Sequence, residues 1–332
     1  MKAIFAGDAG QIRRVYPPNV INILEREAGI DSSHVYTSAE VLSGAAREAE
    51  VIFSTWGMFG LTSDAVREKL PRLKAVFYAA GSVQAFARGY IDAGVHVISA
   101  WAANAVPVIE YAYSQILLAN KGFFQAGRLE SAGKLAEARA AFANYPGNYG
   151  CSVGIIGAGM IGGGVLEKLK AHRNIRKLVF DPFLPDERAE ELDARKVGLE
   201  ELFRECQTVS NHLANNAQTR GMLTGPMFES MRPYATFINT GRGAQVDEAG
   251  LVNVLEARPD LTAVLDVTWP EPPEKGHAFY RLDNVILTPH IAGSSGYEVQ
   301  RMSEYMLDEF RSFAVGKPLK YEVTADMLAT MA

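Results

Sequence analysis

Cysteine is nearly absent from this chain. Cys151 and Cys206 are the two among 332 residues, far apart and without CxxC spacing. That usage argues against a disulfide framework and a thiolate zinc site, and it fits a reducing cytosol. A basic excess is missing too. The formal charge is −5, from 33 Lys and Arg against 38 Asp and Glu, so nothing points to a phosphate backbone and nucleic acid is not expected as a partner. Uncharged segments are broken by Gly, Asn, Pro or His before they reach the ~20 residues of a membrane span. The start, MKAIFAGDAG, reads as a strand and a turn, without the apolar core and cleavage site of a secretory leader. These absences predict a cytoplasmic protein with no membrane association and no metal.

What is present is a globular composition, 48% hydrophobic and 21% charged, on a chain too long for one ordinary core. Short β-rich runs (KAIFAG, HVYTS, VIFSTWG, KAVFYAAG, HVISAW) alternate with stretches of helical spacing (PPNVINILEREAG, AEVLSGAAREAE, SDAVREKL). Two long helical stretches follow, NAVPVIEYAYSQILLANKG and RLESAGKLAEARAAFANY, and the loop PGNYG after them reads as an interdomain hinge. A second alternating series (CSVGIIGAG, KLVFDP, TVSNHLA, ATFINTG, LTAVLDVTW, NVILTPH) precedes a last helix from about 296 to 315. Strand–helix alternation of this kind predicts an α/β protein with two doubly wound parallel sheets.

Within VGIIGAGMIGGGVLEKLK, Gly157, Gly159 and Gly162 spell G-x-G-x-x-G between a strand and a helix. The first glycine permits the tight turn, the second lets pyrophosphate approach the backbone, and the third lets helix and strand pack closely. The helix N-terminus then offers free N–H groups to phosphates. Asp181, 19 residues after Gly162, ends the next strand where a carboxylate would bond the adenosine ribose. A 2′-phosphate would meet like charge there, so the pattern favours NAD over NADP.

Three later strand ends carry polar residues: Arg242 in ATFINTGRG, Asp266 and Glu271 in AVLDVTWPEPP, and His290 in VILTPH. Ligands of open α/β sheets sit beyond the carboxyl ends of the strands. Hydride reduction of a 2-keto acid needs a planar cation for the carboxylate and a proton for the carbonyl oxygen. Arg242 suits the first task and His290 the second, with Glu271 orienting the ring and favouring its charged form. Taken singly, each has a bland reading: Arg242 as a helix cap, Glu271 as a solvated loop acid, His290 as a satisfied strand-end histidine, and Asp266 as a loop-start acid that could also bond a nicotinamide amide. Their conjunction carries the assignment.

Through GIIGAGMIG, FDPF, INTGRGAQVDE, LDVTWPEP and LTPHIAG, the chain resembles the D-isomer-specific 2-hydroxyacid dehydrogenases. The resemblance implies Arg242 as carboxylate binder, His290 as acid/base and Glu271 as its partner. It places Gly157, Gly159, Met160, Ile161, Gly162, Asp181, His212, Thr240, Gly241, Arg242, Asp266, His290, Ala292 and Gly293 at an NAD site. It also implies a flavodoxin-like substrate domain, 1–103 plus 297–332, and a Rossmann NAD-binding domain, 104–296. A homodimer joined through the NAD-binding domains is implied as well.

Some positions depart from the family pattern. Val83 stands in AAGSV where an acid is common, GCS replaces Gly-Lys-Thr before the fingerprint strand, and NHLA keeps His212 but has Ala214 for proline. By the same likeness, Ala80, Gly81 and Ser82 would present N–H groups to the substrate carboxylate opposite Arg242, and Trp56, beside Met58 and Phe59, would form a second wall. No Lys or Arg lies between Val51 and Gly60. That leans away from a phosphorylated substrate and leaves glyoxylate, hydroxypyruvate or a larger apolar 2-keto acid. The competing reading is an NAD(H)-sensing, co-repressor-like interaction protein on the same fold, for which no charged or disordered extension is visible.

Overall fold

A computed structural model describes residues 1–42 and 44–329. Its strands are β1 (Ala3–Ala6), β2 (Val35–Tyr36), β3 (Val51–Ser54), β4 (Ala75–Tyr78), β5 (His96–Ser99), β6 (Ser152–Ile156), β7 (Arg176–Phe180), β8 (Ala194–Lys196), β9 (Thr208–Asn211), β10 (Thr236–Asn239), β11 (Thr262–Leu265), β12 (Val285–Leu287) and β13 (Glu322–Val323). They fall into two compact units. One is Met1–Ala105 with Ser294–Ala332, and the other is Val106–Gly293.

The first unit holds one sheet in the order β13-β5-β4-β3-β1-β2. Its strands are parallel except β13, which runs antiparallel to β5. Without that edge strand the order is 2-1-3-4-5, the flavodoxin-like winding. AIFA, VIFS and AVFY are buried at every position, as strands covered on both faces must be, and so they show no alternation of apolar and polar residues. The late helix Gln300–Ala314 closes this core. Its Phe310 ring lies 5.3 Å from Phe53 and 5.8 Å from Phe77, which stack on each other at 5.4 Å.

The second unit holds an all-parallel sheet, β12-β11-β10-β9-β6-β7-β8. This is the 3-2-1-4-5-6 dinucleotide-binding order with a seventh strand added. Phe203, Phe228 and Phe237 pack one face as a ring cluster with centroids 4.9 to 6.2 Å apart. The winding reverses between β6 and β9, which opens a crevice at their carboxyl ends.

Several local expectations change. AEVLSGAAREAE, expected as a helix, forms two 3₁₀ turns, Ala39–Val41 and Gly44–Glu48, with Gly44 at φ +52° and Ser43 outside the described residues. RLESAGKLAEARAAFANY divides into helices ending at Ser131 and starting at Leu135, because Gly133 turns the chain at φ +74°. The loop 146–150, expected as a hinge, lies inside the second unit, where Gly147 N–H donates to the Asn120 carbonyl. The division falls at Ala105, two residues before Pro107 in the helix Trp101–Asn120. Helices Ala9–Val15 and Ala87–Asp92 and the short edge strands β8 and β13 carry too little periodicity to be seen in sequence.

Candidate active site

The glycine loop leaves β6 and enters the helix Met160–Leu169. Gly157 has φ +83°, and a Cβ there would lie 2.9 Å from the His212 carbonyl oxygen. A Cβ on Gly162 would lie 1.9 Å from the Gly157 carbonyl oxygen, so that position is closed to any side chain. Gly159 differs, since nothing stands within 4 Å of where its Cβ would be. It is the helix N-cap and supplies no side-chain cap bond, which leaves the first-turn N–H groups facing an open cradle beside exposed Met160. Ile161 follows in the first turn. At the end of β7, Asp181 accepts from Ala158 N–H at 2.8 Å and from Phe183 N–H at 2.9 Å. Its carboxylate is thereby fixed beside the glycine loop.

β10, β11 and β12 are adjacent and parallel, so Arg242, Asp266 with Glu271, and His290 emerge on one rim. His290 Nδ1 and Glu271 Oε1 are 2.5 Å apart, and both side chains keep solvent access, 46% and 39% exposed. The other ring nitrogen, Nε2, has no hydrogen-bond partner among the described residues. His290 has φ +54°, a left-handed conformation that costs a non-glycine residue about 1–3 kcal/mol. Asp266 holds it there. The His290 N–H donates to the Asp266 carbonyl, while the buried Asp266 carboxylate accepts from Thr288 Oγ1 at 2.6 Å, Ile291 N–H at 2.8 Å and Ala292 N–H at 2.9 Å. Asp266 thus faces inward and shapes the His290 turn, which closes at Gly293.

Arg242 Nη1 donates to the Gly241 carbonyl at 2.7 Å. Burial lowers the guanidinium from its ordinary value, and the negative charge of Glu271 works against that shift. Its turn is fastened by residues the sequence did not single out. Buried Gln245 accepts at Oε1 from Asn211 Nδ2 at 2.7 Å and from Arg242 N–H at 3.0 Å, and Asn239 Oδ1 accepts from Asn211 Nδ2 and Gly241 N–H. A Cβ on Gly241 would meet Gln245 Oε1 at 2.7 Å, so the network and the glycine require each other. The available signal was amide residues ending three neighbouring elements. His212 bonds Ser210 Oγ at 2.9 Å and the buried Thr240 Oγ1 at 3.2 Å, and burial pushes its imidazole down to about 3. It is a neutral scaffold for the glycine loop.

The remaining candidates belong to the first unit. Ala80 is buried, and its carbonyl and that of Gly81 accept from Ser99 Oγ at 2.9 and 2.6 Å. Ser82 is exposed, and Val83, in the place of the common acid, is buried in the core. Among the described residues the Gly81 and Ser82 N–H groups have no partner. Trp56 follows β3 and is partly buried. The lack of a cation between Val51 and Gly60 does not exclude a phosphorylated substrate, because the Arg14 guanidinium stands over the Trp56 ring, 5.9 Å from its centroid. Among the described residues no cluster of three or more His, Cys, Asp or Glu is arranged for a metal, and no helix is long and apolar enough to cross a membrane.

The second unit thus combines a parallel sheet wound in the dinucleotide-binding order, an open glycine cradle and a rim that carries Arg242, Glu271 and His290. Residues 113–292 match the model described as D-isomer specific 2-hydroxyacid dehydrogenase, NAD binding domain, and the chain belongs to that family. It is 30% identical over 230 residues to D-3-phosphoglycerate dehydrogenase of Archaeoglobus fulgidus, covering 69% of this chain and 43% of the relative. Glyoxylate reductase of Korarchaeum cryptofilum is 28% identical over 255 residues, 76% of each chain. The apo D-mandelate dehydrogenase of Rhodotorula graminis shares the fold at TM-score 0.81 and 20% identity, covering 97% of both chains. The chain spans 43%, 31% and 54% of three D-3-phosphoglycerate dehydrogenases that it matches.

Proposed function

We propose that this chain interconverts a 2-keto acid and the corresponding D-2-hydroxy acid with NAD(H). The single observation that carries the reading is the His290–Glu271 pair at 2.5 Å on the same rim as Arg242. The residues present fit the dinucleotide. Gly159 leaves its cradle open, Gly157 and Gly162 are closed to side chains, and Asp181 stands fixed beside the loop to accept from the ribose hydroxyls. The nicotinamide, when bound, supplies or accepts a hydride.

Arg242 binds the substrate carboxylate through in-plane N–H groups at the edge of its guanidinium, and its buried setting strengthens that attraction. The Gly81 and Ser82 N–H groups, without partners among the described residues, suit an anionic group, which supports reading the first unit as a substrate domain. His290 gives its Nε2 proton to the carbonyl oxygen as charge develops there, and in the reverse direction takes it from the hydroxyl. Glu271 holds the Nδ1 proton, keeping the ring oriented and able to donate. Such acid help is worth ~10²–10⁴ in rate.

Asp181 selects NADH over NADPH by repelling a 2′-phosphate. Exposed Leu118, Phe123, Leu135 and Phe142 on the second unit's helices suit a homodimer interface. The cytoplasmic placement remains part of the proposal. The test is NADH consumption with a panel of 2-keto acids, including glyoxylate, hydroxypyruvate, branched apolar acids and a phosphorylated acid. Turnover of at least one supports the reading. A wild-type protein that binds NADH yet is inert across the panel would instead support the nucleotide-sensing alternative.

A further inference from the structure

Glu271 sits on a short loop, Thr268–Pro273, whose anchors lie outside the Arg–Glu–His rim. On one side the loop backbone presses on the turn that carries Arg242: a Cβ on Gly243 would fall 1.9 Å from the Thr268 carbonyl carbon. Thr268 Oγ1 donates to the Pro270 carbonyl at 2.8 Å and tightens the bend. On the other side the Trp269 N–H donates to Glu248 Oε1 at 2.7 Å, while the Arg220 guanidinium lies over the Trp269 indole at 5.2 Å.

Glu248 does not cap its own helix, Glu248–Ala257. The cap there is Asp247, whose carboxylate already accepts from Gly250 N–H at 3.0 Å. Instead the Glu248 side chain reaches across to the loop and is half-buried there, with no ion pair to a cation among the described residues. Burial pushes its carboxyl up to about 7. The poorly solvated Glu248 carboxyl is thus bonded to one backbone N–H, two residues before Glu271.

We propose that Glu248 is a positioning residue for the proton-donating pair: by gripping the Trp269 N–H it sets where the Glu271 carboxylate meets His290. This rests on the reading of His290 as acid and Glu271 as its partner. Two residues separate Trp269 from Glu271, so freeing the N–H lets the carboxylate drift by an ångström or so, which is enough to cost ~10–100-fold in a positioned step.

The experiment compares Glu248→Ala, Glu248→Gln and His290→Asn, singly and with Glu248→Ala added to His290→Asn, in NADH-dependent reduction of the best 2-keto acid. Glu248→Ala is expected to lower kcat ~10–100-fold, to leave the NADH Kd within about twofold, and to raise the solvent deuterium isotope effect as proton delivery becomes limiting. Glu248→Gln keeps an oxygen acceptor and is expected to restore kcat to within about threefold of wild type. In the His290→Asn background, Glu248→Ala is expected to cost nothing further, because it acts through that histidine.

Wild-type kcat in Glu248→Ala, an equal loss in Glu248→Gln, or a full additive loss in the double variant would overturn the proposal. Should Glu248→Ala not fold, the Glu248→Gln isotope effect and kcat decide, and a large loss there is contrary. His290→Asn alone tests the underlying reading: if it keeps full activity, that reading fails whatever Glu248 does.

Discussion

Alanine at Gly159 and alanine at Gly162 are expected to fail in opposite ways, though three residues apart in the same loop. At Gly162 the new methyl lies 1.9 Å from the Gly157 carbonyl oxygen and 3.1 Å from Ile155 Cγ2. Ordinary contact needs more than an ångström of extra room, and the nearest obstacle is backbone. Overpacking of this kind costs ~1–3 kcal/mol, which lowers the melting temperature by roughly 3–10 °C for a unit of this size. At Gly159 nothing lies within 4 Å and φ is −64°, so alanine is accommodated in the ligand-free protein. There the methyl points into the cradle and holds pyrophosphate away from the N–H groups. Loss of one hydrogen bond to a charged group costs ~1.5–3 kcal/mol, or about 10–150-fold in NADH Kd. Scanning fluorimetry and NADH fluorescence titration read both variants. A Gly159→Ala protein that binds NADH like wild type, or a Gly162→Ala protein of unchanged melting temperature, would refute the assignment of cradle and packing contact.

Replacing Asp181 with serine removes the charge beside the ribose while keeping an acceptor. The ratio of NADPH to NADH efficiency is expected to rise at least tenfold (~1.4 kcal/mol), and wild-type preference for NADPH would contradict the role given to that carboxylate. His212, held near 3 by burial, stays neutral in the folded chain where a free imidazole protonates at 6.5. Between those values the unfolded chain binds the extra proton, so stability falls as pH drops. His212→Asn is expected to flatten that loss by ~2 kcal/mol at about pH 4.5 in denaturant titrations. Glu248 has the opposite sign. Its folded value, about 7 against an ordinary 4.5, makes the folded chain the better proton binder between the two, so stability falls as pH rises through them. The full displacement is worth ~3 kcal/mol and about half that at a half-exposed site, so Glu248→Gln is expected to stabilise by ~1.5 kcal/mol at pH 8 and by little at pH 4.

The winding of both sheets was legible because β1, β3, β4, β6 and β11 are short, largely apolar runs separated by helical spacing. Gly157, Gly159 and Gly162 were legible because each has a separate steric duty. The sequence read Asp266 as an acid at a strand end but did not disclose that its carboxylate turns inward to hold Thr288, Ile291 and Ala292. Asn211, Asn239 and Gln245 escaped notice for a related reason. An amide that supports a turn looks like any polar residue until its partners, 28 and 34 residues away in the chain, are brought beside it. Arg14 came to Trp56 in the same way, across a separation that spacing does not encode.

Proton delivery by His290 is tested most directly in a single turnover of NADH-loaded protein mixed with a 2-keto acid that the wild type reduces. His290→Asn is expected to bind NADH as tightly as wild type and to lose ~10²–10⁴ in the rate of NADH oxidation. A rate equal to the wild type's would contradict the account.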